Sequence, residues 1–220
     1  MCGRFTSLLS PELLAIIYGV LAPPDLVPRY NIAPSQPVVI VRHNVSGLRE
    51  LASVSWGLIP SWSKDPNIGR SLINARGETV AEKPSFRAAF KHRRCIVPAS
   101  GFYEWLSVNG TKQPWYIKGV EDRPLSLAGL WEHWQSPDGS LIETCAIITT
   151  PANELMAPIH DRMPVILPPE SIAIWLEPNT KSDELKDLLH PCASELLDAY
   201  SVSNLVNNPK FDSPSCLKRV

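Results

Sequence analysis

The chain has 220 residues, 44% apolar and 20% charged, with a formal net charge of −1. That length fills one sizeable core, so a single domain over residues 1–220 is expected, and the apolar share excludes a disordered chain. No apolar run approaches the roughly 18 residues that cross a bilayer, which excludes a helical membrane protein.

Proline is the compositional outlier at 22 residues, about twice the usual ~5%, and predicts many turns and few long helices. Near the N-terminus, Leu13 to Ala22 has the length of a secretory apolar region. Pro11 and Glu12 stand directly before it, however, Arg4 is the only positive charge upstream, and no small-x-small cleavage site follows. Ser10-Pro11-Glu12 reads instead as a helix start, with a capping Ser, Pro in the first turn and Glu at the positive end of the dipole, predicting a helix over about 11–20. Strands at 37–41 and 48–56 flank the turn Asn44-Val45-Ser46-Gly47 and predict a hairpin. A polar loop over 60–71 leads to a short strand at 72–74, with helical turns at 77–82 and 84–92.

Strands are then expected at 95–97, 101–106, 114–118, 125–131 and 142–149, with Asn109-Gly110 as a hairpin turn. Amphipathic helices at 169–176 and 182–189 and a strand at 197–202 complete the chain. The expected fold class is mixed α/β (α+β): a curved, mostly antiparallel, barrel-like sheet flanked by short helices. Of the tryptophans, Trp56 is expected inside and Trp62 exposed.

Charge is unevenly spread. Residues 1–110 carry 12 Lys/Arg against 7 Asp/Glu, and residues 111–220 carry 9 against 15. Between residues 60 and 100 eight basic side chains, Arg76 and Arg87 among them, face three acidic ones, a surface able to attract phosphates or merely a solvated face. The five cysteines form an odd set without tight spacing, which fits a reducing cytoplasm better than a disulfide framework. His190 and Cys192 are the closest Cys/His pair and lack a second pair, so neither a metal nor a cofactor is expected.

Cys2 is the most informative position. Removal of Met1 leaves a cysteine whose α-amine and thiol, with ordinary pKa values of roughly 7.7–8.0 and 8.5, both have reactive forms near neutrality. Such an aminothiol condenses with an aldehyde through its amine and closes a thiazolidine ring through its sulfur, the second step being intramolecular. Read alone, Cys2 is equally a small residue with no role. Glu104, within Gly101-Phe102-Tyr103-Glu104-Trp105, is placed where burial favours the protonated acid; a strand-surface salt bridge explains it as well. His160 can move a proton near neutrality or be a core histidine satisfied by backbone. Asn74 can hold an amine or hydroxyl, or stabilise a turn. Arg76, two residues on, shares its face if the strand continues.

Met1-Cys2-Gly3-Arg4-Phe5, Arg29-Tyr30-Asn31-Ile32-Ala33-Pro34, Trp56-Gly57-Leu58-Ile59-Pro60, Ile73-Asn74-Ala75-Arg76, Gly101 to Trp105 and His160-Asp161-Arg162-Met163-Pro164 occur in this order. Together they resemble the SRAP family, the SOS-response-associated peptidases; beyond residue 168 the likeness weakens. The resemblance implies a sensor and shield of abasic sites in single-stranded DNA, with Cys2 forming a thiazolidine DNA–protein crosslink to the ring-opened sugar. It implies that Asn74 positions Cys2, Glu104 shuttles protons, His160 assists ring opening and Schiff-base steps, and Thr149 supports the glutamate. Arg4, Arg76, Arg87 and Arg162 would hold phosphates, with Trp62 against bases. The protein would be a cytoplasmic monomer, at the nucleoid when bound to DNA. Two other functions compete: a cysteine peptidase built on Cys2, His160 and Glu104 or Asn74, with removal of its own Met1 as the minimal form, and a non-covalent single-strand-binding module.

Overall fold

In the computed structural model, residues 2–21 and 26–220 are described; Met1 and Ala22, the end of the apolar stretch weighed above, lie outside them. The chain opens with β1 (Phe5–Ser7) and helix α1 (Pro11–Tyr18). Ser10 caps α1 by accepting from the Leu13 N–H, Pro11 occupies its first turn, and Gly19 ends it in the left-handed region at φ 65°. Next come β2 (Arg29–Ile32), β3 (Pro37–His43) and β4 (Arg49–Trp56), a 3-10 turn at Pro66–Ser71, β5 (Asn74–Arg76) and α2 (Arg87–His92). Then follow β6 (Arg94–Ala99), β7 (Gly101–Val108), β8 (Thr111–Gly119), β9 (Leu125–Gln135), β10 (Leu141–Pro151) and β11 (Arg162–Pro164). Helices α3 (Ser171–Leu176) and α4 (Ser182–Lys186) and strand β12 (Leu197–Ser201) lead to the C-terminal 3-10 turns.

Two sheets form. One runs β12-β8-β7-β1-β2 and is antiparallel throughout. The other closes on itself through the circuit β10-β4-β3-β6-β9-β10, a small barrel that leaves those strands few free edges. Alternation along β10 sends Ala146 and Ile148 into a core shared with the helices, while Cys145 and Ile147 enter the core shared with the first sheet. With both faces covered, β6 is buried at every position. The mixed α+β, barrel-like architecture thus agrees with the sequence; the separate second sheet was not foreseen.

Boundaries moved where the local backbone has other work. The strand expected at 72–74 lies at 74–76. Leu72 and Ile73 instead close the neck of the 57–73 loop: the Leu72 carbonyl accepts from Leu58 N–H at 3.1 Å, and the Ile73 carbonyl accepts from the Trp56 indole at 2.9 Å. That neck is tight because Gly57 and Gly69 meet backbone to backbone; a Cβ at Gly57, whose φ is 131°, would lie 2.6 Å from the Gly69 carbonyl oxygen. The loop leaves β10 beside Cys145 and returns to the same edge of it, where Asn74 pairs in parallel with Ile147. The helical segments expected at 77–82 and 84–92 condense into turns followed by α2, and the C-terminal helices are two to three residues shorter than their apolar patterns. No helix among the described residues is long and apolar enough to cross a membrane.

Candidate functional site

Segments distant in sequence converge on Cys2. Strand β1 lies between β2 and β7, with Phe5 opposite Ile32 on one side and Phe102 on the other. The Tyr103 N–H donates to the Arg4 carbonyl at 2.9 Å, which draws the N-terminal residues along β7 toward Glu104. Cys2 is fully buried in the apolar layer between the sheets. Its carbonyl accepts from Asn74 Nδ2 at 2.9 Å, and the Arg4 backbone N–H donates to its sulfur. Asn74 Oδ1 is buried with no hydrogen-bond partner among the described residues, so the side chain retains one acceptor beside Cys2.

Burial, and then the charge of Glu104, push the Cys2 thiol well above its ordinary value. The Glu104 carboxyl is also pushed up, chiefly by burial, while His160 pulls it down. The carboxyl therefore lies within electrostatic reach of both the thiol and the imidazole. Beside them opens a cleft of about 370 Å³ lined by Glu104, Trp105, Lys112, His160 and Asn207.

His160 follows β10 across a turn whose backbone it closes, its N–H donating to the Met156 carbonyl at 2.9 Å. Its Nδ1 lies 3.0 Å from the Arg162 backbone N–H and 2.8 Å from Asp161 Oδ1. The two contacts serve opposite states: an unprotonated Nδ1 accepts from Arg162, and a protonated one donates to Asp161. The imidazole is thus held through Nδ1 in either state.

The arginines differ in availability. Arg162 makes a two-pronged bond to Glu78 and donates to the Thr149 carbonyl at 2.7 Å and hydroxyl at 3.2 Å. Thr149 also donates weakly to the Ala75 carbonyl at 3.5 Å, so the bonds of its hydroxyl run to Ala75 and Arg162. Arg4 is half-buried, bonded through Nη1 to Asn31 Oδ1 at 2.6 Å and the Val206 carbonyl at 2.7 Å, and stacked 5.8 Å over Trp105. It ties β1 to β2 and the C-terminal turns. Arg76 is exposed at the end of β5, with buried Ala75 between it and Asn74. Trp56 is 1% and Trp62 59% exposed, and the Trp62 indole donates to the Pro84 carbonyl at 3.3 Å. Arg87 stands apart, on another cavity.

Three residues of this neighbourhood escaped the sequence reading. Glu78 lies two residues beyond Arg76 and could have been suspected as a counter-charge. Lys112 sits just past the Asn109-Gly110 turn, and Asn207, in a C-terminal 3-10 turn, reaches the cleft by accepting from the Trp105 indole at 2.7 Å. Neither stands in a motif.

The profile of the family described as SOS response associated peptidase (SRAP) matches residues 1–209. The chain belongs to the SRAP family. SRAP relatives include the abasic site processing protein YoqW of Bacillus subtilis, 45% identical over 99% of both chains. The abasic site processing protein HMCES of Xenopus tropicalis is 36% identical over 88% of this chain and 66% of its own length. A crystal structure of a Bacteroides thetaiotaomicron protein superposes with a TM-score of 0.91 at 30% identity, covering both chains completely.

Proposed function

We propose that this SRAP protein senses and shields abasic sites in single-stranded DNA by forming a thiazolidine between Cys2, exposed as the first residue by loss of Met1, and the ring-opened sugar. The observation that carries this reading is the fastening of Cys2 by Asn74 within electrostatic reach of Glu104, which is itself within reach of His160. The names of the relatives point to the same lesion.

The sugar of an abasic site is an aldehyde in its open form. His160 takes the proton of the C1′ hydroxyl and returns it to the ring oxygen as the ring opens. The Cys2 amine then adds to C1′ to give a carbinolamine. Protonated Glu104 donates to the departing hydroxyl, one water leaves, and a Schiff base remains. The proton that the nitrogen gives up on dehydration restores the Glu104 acid, and as the Cys2 sulfur attacks the same carbon its own proton passes by way of the Glu104 carboxyl to the imine nitrogen. Overall one C–N and one C–S bond form and one water is lost, with no change of oxidation state. The acid form of Glu104 favoured by burial suits the dehydration step. The free Asn74 oxygen is placed to accept from the Cys2 amine and aim its lone pair. Arg162 braces Thr149 and the His160 turn, and Arg76 and Trp62 offer an exposed cation and ring to the strand.

Purified protein whose mass shows loss of Met1 is expected to yield a denaturation-resistant adduct with an abasic single strand, and Cys2→Ala none. Absence of the adduct with the wild type overturns the reading. Cleavage of unrelated peptides without any adduct makes the protein a peptidase, and equal reversible binding of intact and abasic strands by wild type and Cys2→Ala makes it a non-covalent binder.

A further inference from the structure

A cavity larger than the Cys2 cleft lies away from the chemistry. About 790 Å³ in size, it lies between α2 and the turn joining α3 to α4. Its walls carry Arg87, Lys91, His92 and Lys181, its floor is formed by Phe90 and Leu185, and no carboxylate lines it. Among the described residues none of the four basic side chains forms an ion pair. Two acids at the α3–α4 turn are engaged locally, Glu177 accepting from the Asn179 N–H and Asp183 facing Lys186, and the third, Glu184, does not line the cavity. His92 is held below its ordinary value by its partial burial and then by the charges of Lys91, Arg93 and Arg94, so the field at this wall is positive. A concave site with an apolar floor and a rim of uncompensated cations is built for an anion that brings a hydrophobic body with it.

Both walls run back toward β5, which carries Asn74, and the end of β10. Residues 77–86 join Arg76 to α2, and Trp62, the exposed ring, is fastened to that stretch at Pro84. Leu189, just past α4, accepts from the Thr150 hydroxyl at 3.2 Å and packs where a Cβ of Gly77 would lie 3.3 Å from its own. Along the segment leading from Asn74 to α2 there thus lie a cation, an aromatic ring hydrogen-bonded to Pro84 from the preceding loop, and a basic groove.

Resting on the proposed function, we infer that the α2/α4 groove is a second, remote site for the phosphodiester backbone and bases of the single strand that carries the lesion. A groove of cations over an apolar floor suits successive nucleotides without reading their sequence.

The test uses Lys91→Gln/Lys181→Gln, two exposed side chains whose loss leaves the core intact. Reversible binding of an intact single strand of about sixteen nucleotides is followed by fluorescence anisotropy against salt, beside a strand of about four. For the long strand, the slope of log K against log salt should become shallower by about 1.4, two phosphate contacts at roughly 0.7 each. Binding of the short strand, and the rate of adduct formation on a short abasic strand, should match the wild type. An unchanged slope with the long strand overturns the inference while leaving the proposed function standing. So does loss of affinity for a free nucleoside monophosphate with no effect on the strand, which would make the groove a small-molecule site. If the wild type binds the strand but forms no adduct, the proposed function fails and the groove is judged by the slope alone.

Discussion

The two concavities treat charge in opposite ways. Around Cys2 the central ionisable groups are buried or held by partners. Glu104 is 3% exposed and coupled to the thiol and His160, Arg162 is clasped by Glu78, and Arg4 is bonded to Asn31. Along α2 and α4 the cations stand in solvent with no carboxylate among the lining residues. Buried groups act at short range in a low dielectric and owe their effect to position, whereas exposed ones act through a field that salt screens. Damage to the cleft should therefore alter the rate of bond formation at saturating strand, and damage to the groove should alter affinity and its salt dependence. Substitutions that cross this division would break the comparison.

Glu104→Gln should have the largest effect among the variants that keep Cys2. It preserves shape but removes the proton carrier, and single-turnover adduct formation should slow by about 10²–10⁴ while the salt slope for an intact strand stays at the wild-type value. The same variant carries a pH signature. Burial raises the folded-state pKa of Glu104 above its unfolded value, so between those two values the native state binds more protons than the unfolded chain and stability falls as pH rises. The gain of the wild type is complete below the unfolded pKa and lost as pH climbs through the raised one. Melting curves of wild type and Glu104→Gln should accordingly diverge in favour of the variant as pH rises through that window; parallel curves would mean that Glu104 is ionised at no cost.

Asn74→Ala should come next. It removes the bond to the Cys2 carbonyl and the buried acceptor beside it. A neutral hydrogen bond contributes about 0.5–1.5 kcal/mol to stability, but displacement of a reacting residue by an ångström costs up to about a hundredfold in rate. The expected outcome is a ten- to hundredfold slower adduct, roughly, with nearly wild-type melting. A large loss of stability at unchanged rate would reduce Asn74 to a fold residue.

What the sequence disclosed follows the same division. Cys2, Asn74, Glu104 and His160 stand in short motifs on or beside strands, and alternation placed those strands closely enough to bring the four together. Ser10-Pro11-Glu12 announced α1 because a cap is a local event. Asn74 was put at the end of its strand rather than the start, because the closure of the 57–73 loop depends on Gly57 meeting Gly69, a contact no local pattern encodes. The groove was illegible for a similar reason: Lys181 and Arg87 are distant in sequence and come together only through the packing of Phe90 and Leu185. Arg4, expected on a phosphate, is tied to Asn31 and Val206 inside the protein, a partnership invisible until β1, β2 and the C-terminal turn are assembled.

Glu78→Gln tests the boundary between the two regions and carries the smallest effect. Arg162 adjoins the cleft through its backbone bond to His160 Nδ1, yet its charge is masked by a carboxylate that is 47% exposed. Arg162 holds the Glu78 carboxyl below its ordinary range, so the pair is intact at neutral pH and is lost only as pH falls through that depressed value. A half-exposed pair of this kind contributes about 0.2–1 kcal/mol, and the melting temperature should fall by a few degrees at most. The strand should respond in the other direction: with Glu78 neutral, the guanidinium is released from its strongest partner, and binding of a single strand should tighten severalfold while the salt slope steepens by about 0.7, one phosphate contact. A slope that does not move would show that Arg162 braces Thr149 and the His160 turn without ever touching the strand, leaving Arg76 and the α2/α4 groove to carry the electrostatic share of binding.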